Sequence, residues 1–178
     1  RCIALEAIRK GIVSIEQEQE IIQIAREAKI QINNENGNQQ ILLNGEDVTQ
    51  EIRSKEVSGF VSPVSSIPKV REIMVDLQRR SAQGKDVIME GRDITTVVFP
   101  EAQVKIYLDA DVEERAKRRF KENQEKGMAM TYEETLEAVK KRDYNDMHKK
   151  VGALKIAENA VVVDTTKMTI EEVKEKVK

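Results

Sequence analysis

At 178 residues the chain is long enough to bury one core, and 30 Lys plus Arg against 32 Asp plus Glu leave a net charge of -2, which disfavours broad nucleic-acid binding. A single cysteine, Cys2, excludes an internal disulfide, and no apolar run approaches the roughly 20 residues of a membrane span. The expectation is a soluble protein of a reducing compartment, the cytoplasm, with neither nucleic acid nor membrane as partner.

Taken in chain order, Cys2 to Ile8 reads as the middle of an amphipathic helix. Residue 1 is an arginine with no signal-peptide pattern after it, so the expectation is that the beginning of the protein is missing. Ser14 with Gln17 marks a capping box and a second helix. From Ile30 to Ser66 the rhythm changes. Asn33 to Asn38 and Asn44 to Asp47 are turn signals around Gln40 to Leu43, which implies a small antiparallel unit. On spacing alone this insertion is decoration slightly more often than a mobile lobe.

Beyond it, Val70, Ile73, Met74 and Leu77 share one helical face, and Val87 to Met89, Val104 to Leu108 and Ala160 to Val163 read as strands. Asp111 with Glu114, Thr131 with Glu134 and Thr169 with Glu172 are further capping boxes that open helices between and after these strands. Strand and helix alternate, the signature of a parallel α/β sheet. Phe99, Tyr107 and Phe120 are expected in the core, His148 on a helix surface and Cys2 in an apolar interior.

The stretch from Val87 to Pro100 is the most informative. An apolar strand runs into Glu90, Gly91, Arg92 and Asp93, and side chains that end a buried parallel strand face the crevice where such sheets bind ligands. An Arg–Asp pair there suits a small anionic nucleotide, the guanidinium fork taking a phosphate and the carboxylate a polar ring. The competing account is an ordinary surface ion pair, which gains little and needs no strand-end placement. No Gly-x-x-x-x-Gly-Lys-Ser/Thr loop occurs; Gly84-Lys85 is followed by Asp86 and lacks the upstream glycine.

Six ordered motifs resemble the bacterial cytidylate kinase family across residues 1 to 178. They are Leu43 to Thr49; Val61-Ser62 followed by Ile67 to Arg71; Gly91-Arg92-Asp93 through Pro100; Glu113 to Ala116 with Arg118-Arg119; Arg142-Asp143 with Asp146; and Val163 to Thr166. The resemblance implies a three-layer P-loop kinase-type α/β fold. Residues 1–29 and 69–178 would form the core, 30–68 an inserted lobe gripping the nucleoside monophosphate, and 111–150 a short lid. Roughly 35 preceding residues, with the P-loop and two strands, would be absent, and the 178 residues alone would not turn over ATP.

The implied reaction moves the γ-phosphate of ATP to CMP or dCMP with Mg²⁺, in a protein that is a monomer when full length. Such chemistry is mainly positioning and charge neutralisation, which calls for converging arginines. By position in the family, Arg1 would bind the monophosphate, its bland alternative being a helix-terminal charge. Ser62 and Arg71 would read the cytosine ring, although Ser62 before Pro63 also suits a turn. Arg92 would hold phosphate, and Asp93 would accept from the amino group that distinguishes cytosine from uracil.

Arg142 and Asp146, four apart on one helix face, would take phosphate and sugar. Arg92 and Arg142 would be the catalytic cations, Arg118 and Arg119 the lid's contacts to ATP, and Glu90 a carboxylate linked to the metal. Arg115 reads as an ordinary helix-surface charge. Three departures from the family pattern stand out: Lys149 for an arginine, Gly152-Ala153 for Ala-Pro or Ser-Pro, and Thr95 for a glycine. Lysine at 149 offers no bidentate fork to the substrate. UMP or another small phosphate acceptor is the rival substrate, and a non-catalytic nucleotide-binding paralogue the rival class.

Overall fold

A computed structural model describes residues 1–35 and 38–178, so the expected turn at Asn36-Gly37 lies outside the described residues. The chain divides into two compact units, Arg1–Asp86 and Val87–Lys178.

In the first unit, helix α1 (Cys2–Arg9) turns Cys2, Ile3, Ala4, Leu5 and Ala7 inward. It stops at Gly11, whose φ of 77° lets the chain fold back. The N–H of Gly11 donates to Ile8 and that of Ile12 to Ala7, and buried Ile12 seals the end. The expected capping box at Ser14 takes another form. Ser14 accepts from the N–H of Glu16, and a 3₁₀ turn at Ile15–Gln17 precedes α2 (Glu18–Glu27).

Strands β1 (Ile30–Glu35), β2 (Asn38–Leu43) and β3 (Glu46–Asp47) form the expected antiparallel sheet, with Ile30 opposite Leu43 and Glu35 opposite Asn38. Asn33 and Asn34, read as turn residues, belong instead to β1. Asn44 and Gly45, at φ of 54° and 91°, make the two-residue turn that suits strand twist, and the Asn44 side chain accepts from the N–H of Lys29. Gly45→Ala is expected to lower stability by about 1 kcal/mol, because a Cβ is strained at this angle although the space around it is open. A urea titration of the two proteins checks this.

Helix α3 (Lys55–Ser66) carries Ser62 and Pro63, so the turn that Ser62-Pro63 would also suit does not form. Burial of Val57 and Val64 on one face outweighs the proline, which removes one backbone donor within the helix. Ser54 caps its start through the N–H of Val57, and Pro68 occupies the first turn of α4 (Pro68–Ala82). One apolar core joins α1 and α2 to Leu43, Val48, Ile52, Val57, Val64, Ile67 and Val70. The hairpin region and the helices on either side of it therefore depend on a common interior.

In the second unit, β4 (Ile106–Asp109) and β5 (Val161–Asp164) pair in parallel, Ile106 opposite Val161 and Asp109 opposite Asp164. The strand expected at Val87–Met89 does not form among the described residues. Val87 and Ile88 are exposed, and an extended segment becomes a strand only when a neighbour completes its ladder. One turn of π-helix, Ile94–Val98, follows.

Helices α5 (Val112–Glu125), α6 (Tyr132–His148) and α7 (Ile170–Val177) begin where the capping signals place them. Both halves of the capping box form at Thr131 with Glu134 and at Thr169 with Glu172. Asp111 stands at the N-cap of α5 without a side-chain cap bond, and its N–H donates to Thr166 Oγ1. Phe99, Tyr107 and Phe120 are half-buried rather than fully enclosed, with Phe120 edge-on to Tyr132 at 6.1 Å. The fold is thus mixed α/β with a small parallel sheet. Among the described residues no helix is long and apolar enough to cross a membrane.

Candidate functional site

The residues singled out in the sequence fall in both units. In the first, Arg1 precedes α1 and donates through Nη1 to the carbonyl of Ile52 at 2.8 Å and to Ser58 Oγ at 3.0 Å. Ser62 lies one helical turn beyond Ser58, on the same face of α3. Arg71 sits in α4, which packs against α3, and burial lowers its pKa from the usual arginine value. The other arginine of note, Arg9, grips Glu46 through two bonds of 2.8 Å and also reaches Glu51. It pins α1 to the start of β3, and the hydrogen bond from Arg9 holds the Glu46 carboxyl below its usual range.

In the second unit the decisive group is Asp146, near the end of α6 and buried. Arg92, 54 positions earlier in the chain, donates from Nε to Asp146 Oδ2 at 2.7 Å. Lys149 donates to Oδ1 at 2.9 Å, and Arg142, one turn before on α6, stands 3.8 Å from Oδ2. Burial pushes the Asp146 carboxyl up, but the bonds from Arg92 and Lys149 and the attraction of their charges outweigh it, so its pKa is lowered. The Asp146 carbonyl meanwhile accepts from the N–H of Leu154, which ties the segment after α6 back to the helix.

Three cations thus share one carboxylate. Burial lowers the pKa of the Arg142 guanidinium, the charges of Arg92 and Arg119 press the same way, and Asp146 and Asp143 oppose them only in part. Asp143 is engaged elsewhere, accepting two bonds from Arg115 Nη1 at 2.7 and 3.0 Å. Arg115 also donates to the carbonyl of Ala110, so it joins α5 to α6 as a structural residue. The cluster around Asp146 therefore carries a net positive charge, which can attract an anion. Arg92 illustrates the arrangement: its Nε is used, while its terminal nitrogens have no protein acceptor among the described residues.

Asp93 follows Arg92 directly and is 5% exposed. Its carbonyl accepts from the N–H groups of Val97 at 2.8 Å and Val98 at 3.2 Å, which starts the π turn. Such turns occur frequently at functional sites. Glu90 is exposed and stands apart from the Asp146 cluster's hydrogen bonds. Arg118 donates to Glu114 and to the carbonyls of Thr165, at 2.7 Å, and Met168, which fastens α5 to the loop after β5. Arg119 pairs with Glu122 at 2.8 Å and lies within electrostatic reach of Arg142. His148 is exposed and stacks on Tyr144 at 4.1 Å, whereas Cys2 is buried.

Among the described residues no group of three or more His, Cys, Asp or Glu side chains could cage a metal ion. Glu90, exposed, could supply one oxygen. That donor set suits a hard cation that arrives with phosphate ligands of its own, as Mg²⁺ does on a nucleotide.

A family model described as cytidylate kinase matches residues 1–178. A protein named cytidylate kinase from Caldanaerobacter subterraneus subsp. tengcongensis is 49% identical over 177 residues, covering 99% of this chain and 77% of that protein. One of the same name from Caldicellulosiruptor saccharolyticus is 48% identical over 177 residues, covering 99% and 78%. Another, from Streptococcus pyogenes serotype M5, is 51% identical over 135 residues, covering 76% and 60%.

Proposed function

The chain belongs to the cytidylate kinase family of ATP-using nucleoside monophosphate kinases, and from that premise we propose that it transfers the γ-phosphate of ATP to the 5′-phosphate of CMP or dCMP. The observation that carries this reading is the group of cations, Arg92, Arg142 and Lys149, gathered on one buried carboxylate with charge to spare. In phosphoryl transfer the charge lies on phosphate oxygens, so fixed cations with open donors supply most of what the protein must provide.

Arg92 and Arg142 bind the phosphates in this reading, Asp146 orients both and meets the sugar, and Lys149 contributes a point charge. Asp93 accepts from the cytosine amino group, Ser62 and Arg71 read the ring, and Arg1 reaches the monophosphate. Of the two arginines assigned to ATP, Arg119 is the better placed to serve, because Arg118 already donates to two backbone carbonyls. Mg²⁺, with Glu90 as a carboxylate linked to it, would neutralise charge on the nucleotide phosphates when bound.

We place this chemistry on a three-layer P-loop kinase-type sheet in a cytoplasmic monomer. Residues 30–68 form the acceptor lobe and 111–150 a lid, and the reaction requires water to be excluded before transfer. A coupled assay of ADP release on the natural full-length protein tests the acceptor. CMP and dCMP are expected to turn over faster than UMP or AMP; faster turnover of UMP overturns the cytosine assignment, and CMP binding without turnover makes the protein a binding module.

A further inference from the structure

Gly91 does not occupy the left-handed region, so the backbone freedom of glycine does not explain its presence. What does is space. A Cβ at Gly91 would lie 2.8 Å from Ile94 Cγ1 and 3.1 Å from Ile94 Cδ1, whereas at Gly11, Gly45, Gly59, Gly84 and Gly127 it would meet nothing within 4 Å. Ile94 is itself buried and is the first residue of the π turn, accepting from the N–H of Phe99 at 2.7 Å. Between the two lie only Arg92 and Asp93. An interior side chain of this kind yields little, because its neighbours already fill the space around it.

Resting on the kinase reading above, we infer that Gly91 is a positioning residue: its missing side chain lets Ile94 fold back over it, and this contact fixes where Arg92 and Asp93 point. Neither glycine nor isoleucine touches a substrate. A Cβ at 91 displaces Ile94, tilts the turn whose first acceptor is the Asp93 carbonyl, and draws the Arg92 guanidinium off Asp146. The acceptor site then loses its shape while the rest of the unit keeps its packing.

A double-mutant cycle on the full-length protein tests this, since coupled residues depart from additivity and independent ones do not. Four proteins are compared: natural, Gly91→Ala, Ile94→Ala and the double variant. Calorimetric titration with CMP gives one readout, and NMR titration of the Asp146 carboxylate gives another that needs no ligand. Gly91→Ala is expected to weaken CMP binding roughly tenfold, less than the about 100-fold that a full 1 Å misplacement can cost, and to move the Asp146 titration upward.

In the Ile94→Ala background, where Cγ1 and Cδ1 are gone, the same Gly91→Ala change is expected to add nothing to either readout. Equal effects of Gly91→Ala in both backgrounds overturn the inference, as does a folded Gly91→Ala protein with natural CMP binding and natural Asp146 titration. Should Gly91→Ala alone fail to fold, a folded double variant supports the contact and an unfolded one overturns it. If the natural protein binds no CMP, the acceptor reading fails, and the Asp146 titration still decides this one.

Discussion

Asp146→Asn is expected to lower kcat/KM for the acceptor nucleotide at least about 100-fold, the scale of losing one preorganised electrostatic element. The substitution is nearly isosteric but removes the charge that lets Arg92, Arg142 and Lys149 stand together. Without it the three cations repel, and the one amide oxygen of asparagine can accept from Arg92 or from Lys149 but not from both in the present geometry. Initial-rate kinetics with CMP varied at saturating ATP reads the loss; a variant within threefold of the natural protein removes Asp146 from the site.

The same substitution carries a pH signature. The folded-state pKa of Asp146 lies below its unfolded value of about 3.9, so its contribution to stability is fully present above that value and is lost as pH falls through the folded pKa. The natural protein should therefore exceed Asp146→Asn by a constant margin near neutrality, and the margin should shrink below about pH 4. Its size should be about 2 kcal/mol, less than a fully buried pair gives, because the Arg92 and Arg142 side chains are 45% and 67% exposed and water screens them. Denaturant melts across pH 3 to 7 measure it.

What the sequence reveals of this arrangement follows the range of each interaction. Thr131 with Glu134 and Thr169 with Glu172 act over three residues, and both capping boxes form as read. Asp111 is also local, yet its backbone N–H finds Thr166, 55 positions away, a partner that spacing does not announce. The apolar run at Val87–Met89 shows a similar dependence, since composition can mark a segment fit for a sheet but only a neighbouring strand makes it one. At Ser62-Pro63 the local turn signal is sound, and burial of Val57 and Val64 overrides it with a helix.

The site divides along the same line. Arg142 and Asp146 are legible as a pair because they are one helical turn apart, whereas the shorter bond from Arg92 to Asp146 spans 54 positions, and neither spacing nor the family resemblance announces it. The charge of Arg119 on α5 bears on Arg142 on α6, and no sequence spacing would reveal it. Gly91 stood in plain view within a motif, but its reason, the nearness of Ile94, is a contact that three-residue spacing outside a regular helix does not predict.

Arg92→Lys separates charge from geometry at the centre of this cluster. The arginine uses Nε on Asp146 and keeps two terminal nitrogens directed elsewhere, so one side chain can hold the carboxylate and an oxyanion together. Lysine brings the same charge on a single nitrogen, which can satisfy Asp146 or a phosphate but not both in the same geometry. Arg92→Lys is therefore expected to keep stability within about 0.5 kcal/mol of the natural protein, as a change at a largely solvated side chain usually does. Its kcat/KM should nevertheless fall about 100- to 1000-fold, the usual loss when one preorganised donor to a developing anion is removed. Lys174→Ala serves as the control, since its pairing with Glu171 is exposed and its removal leaves the Asp146 bonds intact. Thermal melts and steady-state kinetics on the same preparations distinguish the two effects. Activity of Arg92→Lys within threefold of the natural protein would mean that charge alone suffices at this position, and the fork would then have no part in holding the transferred group.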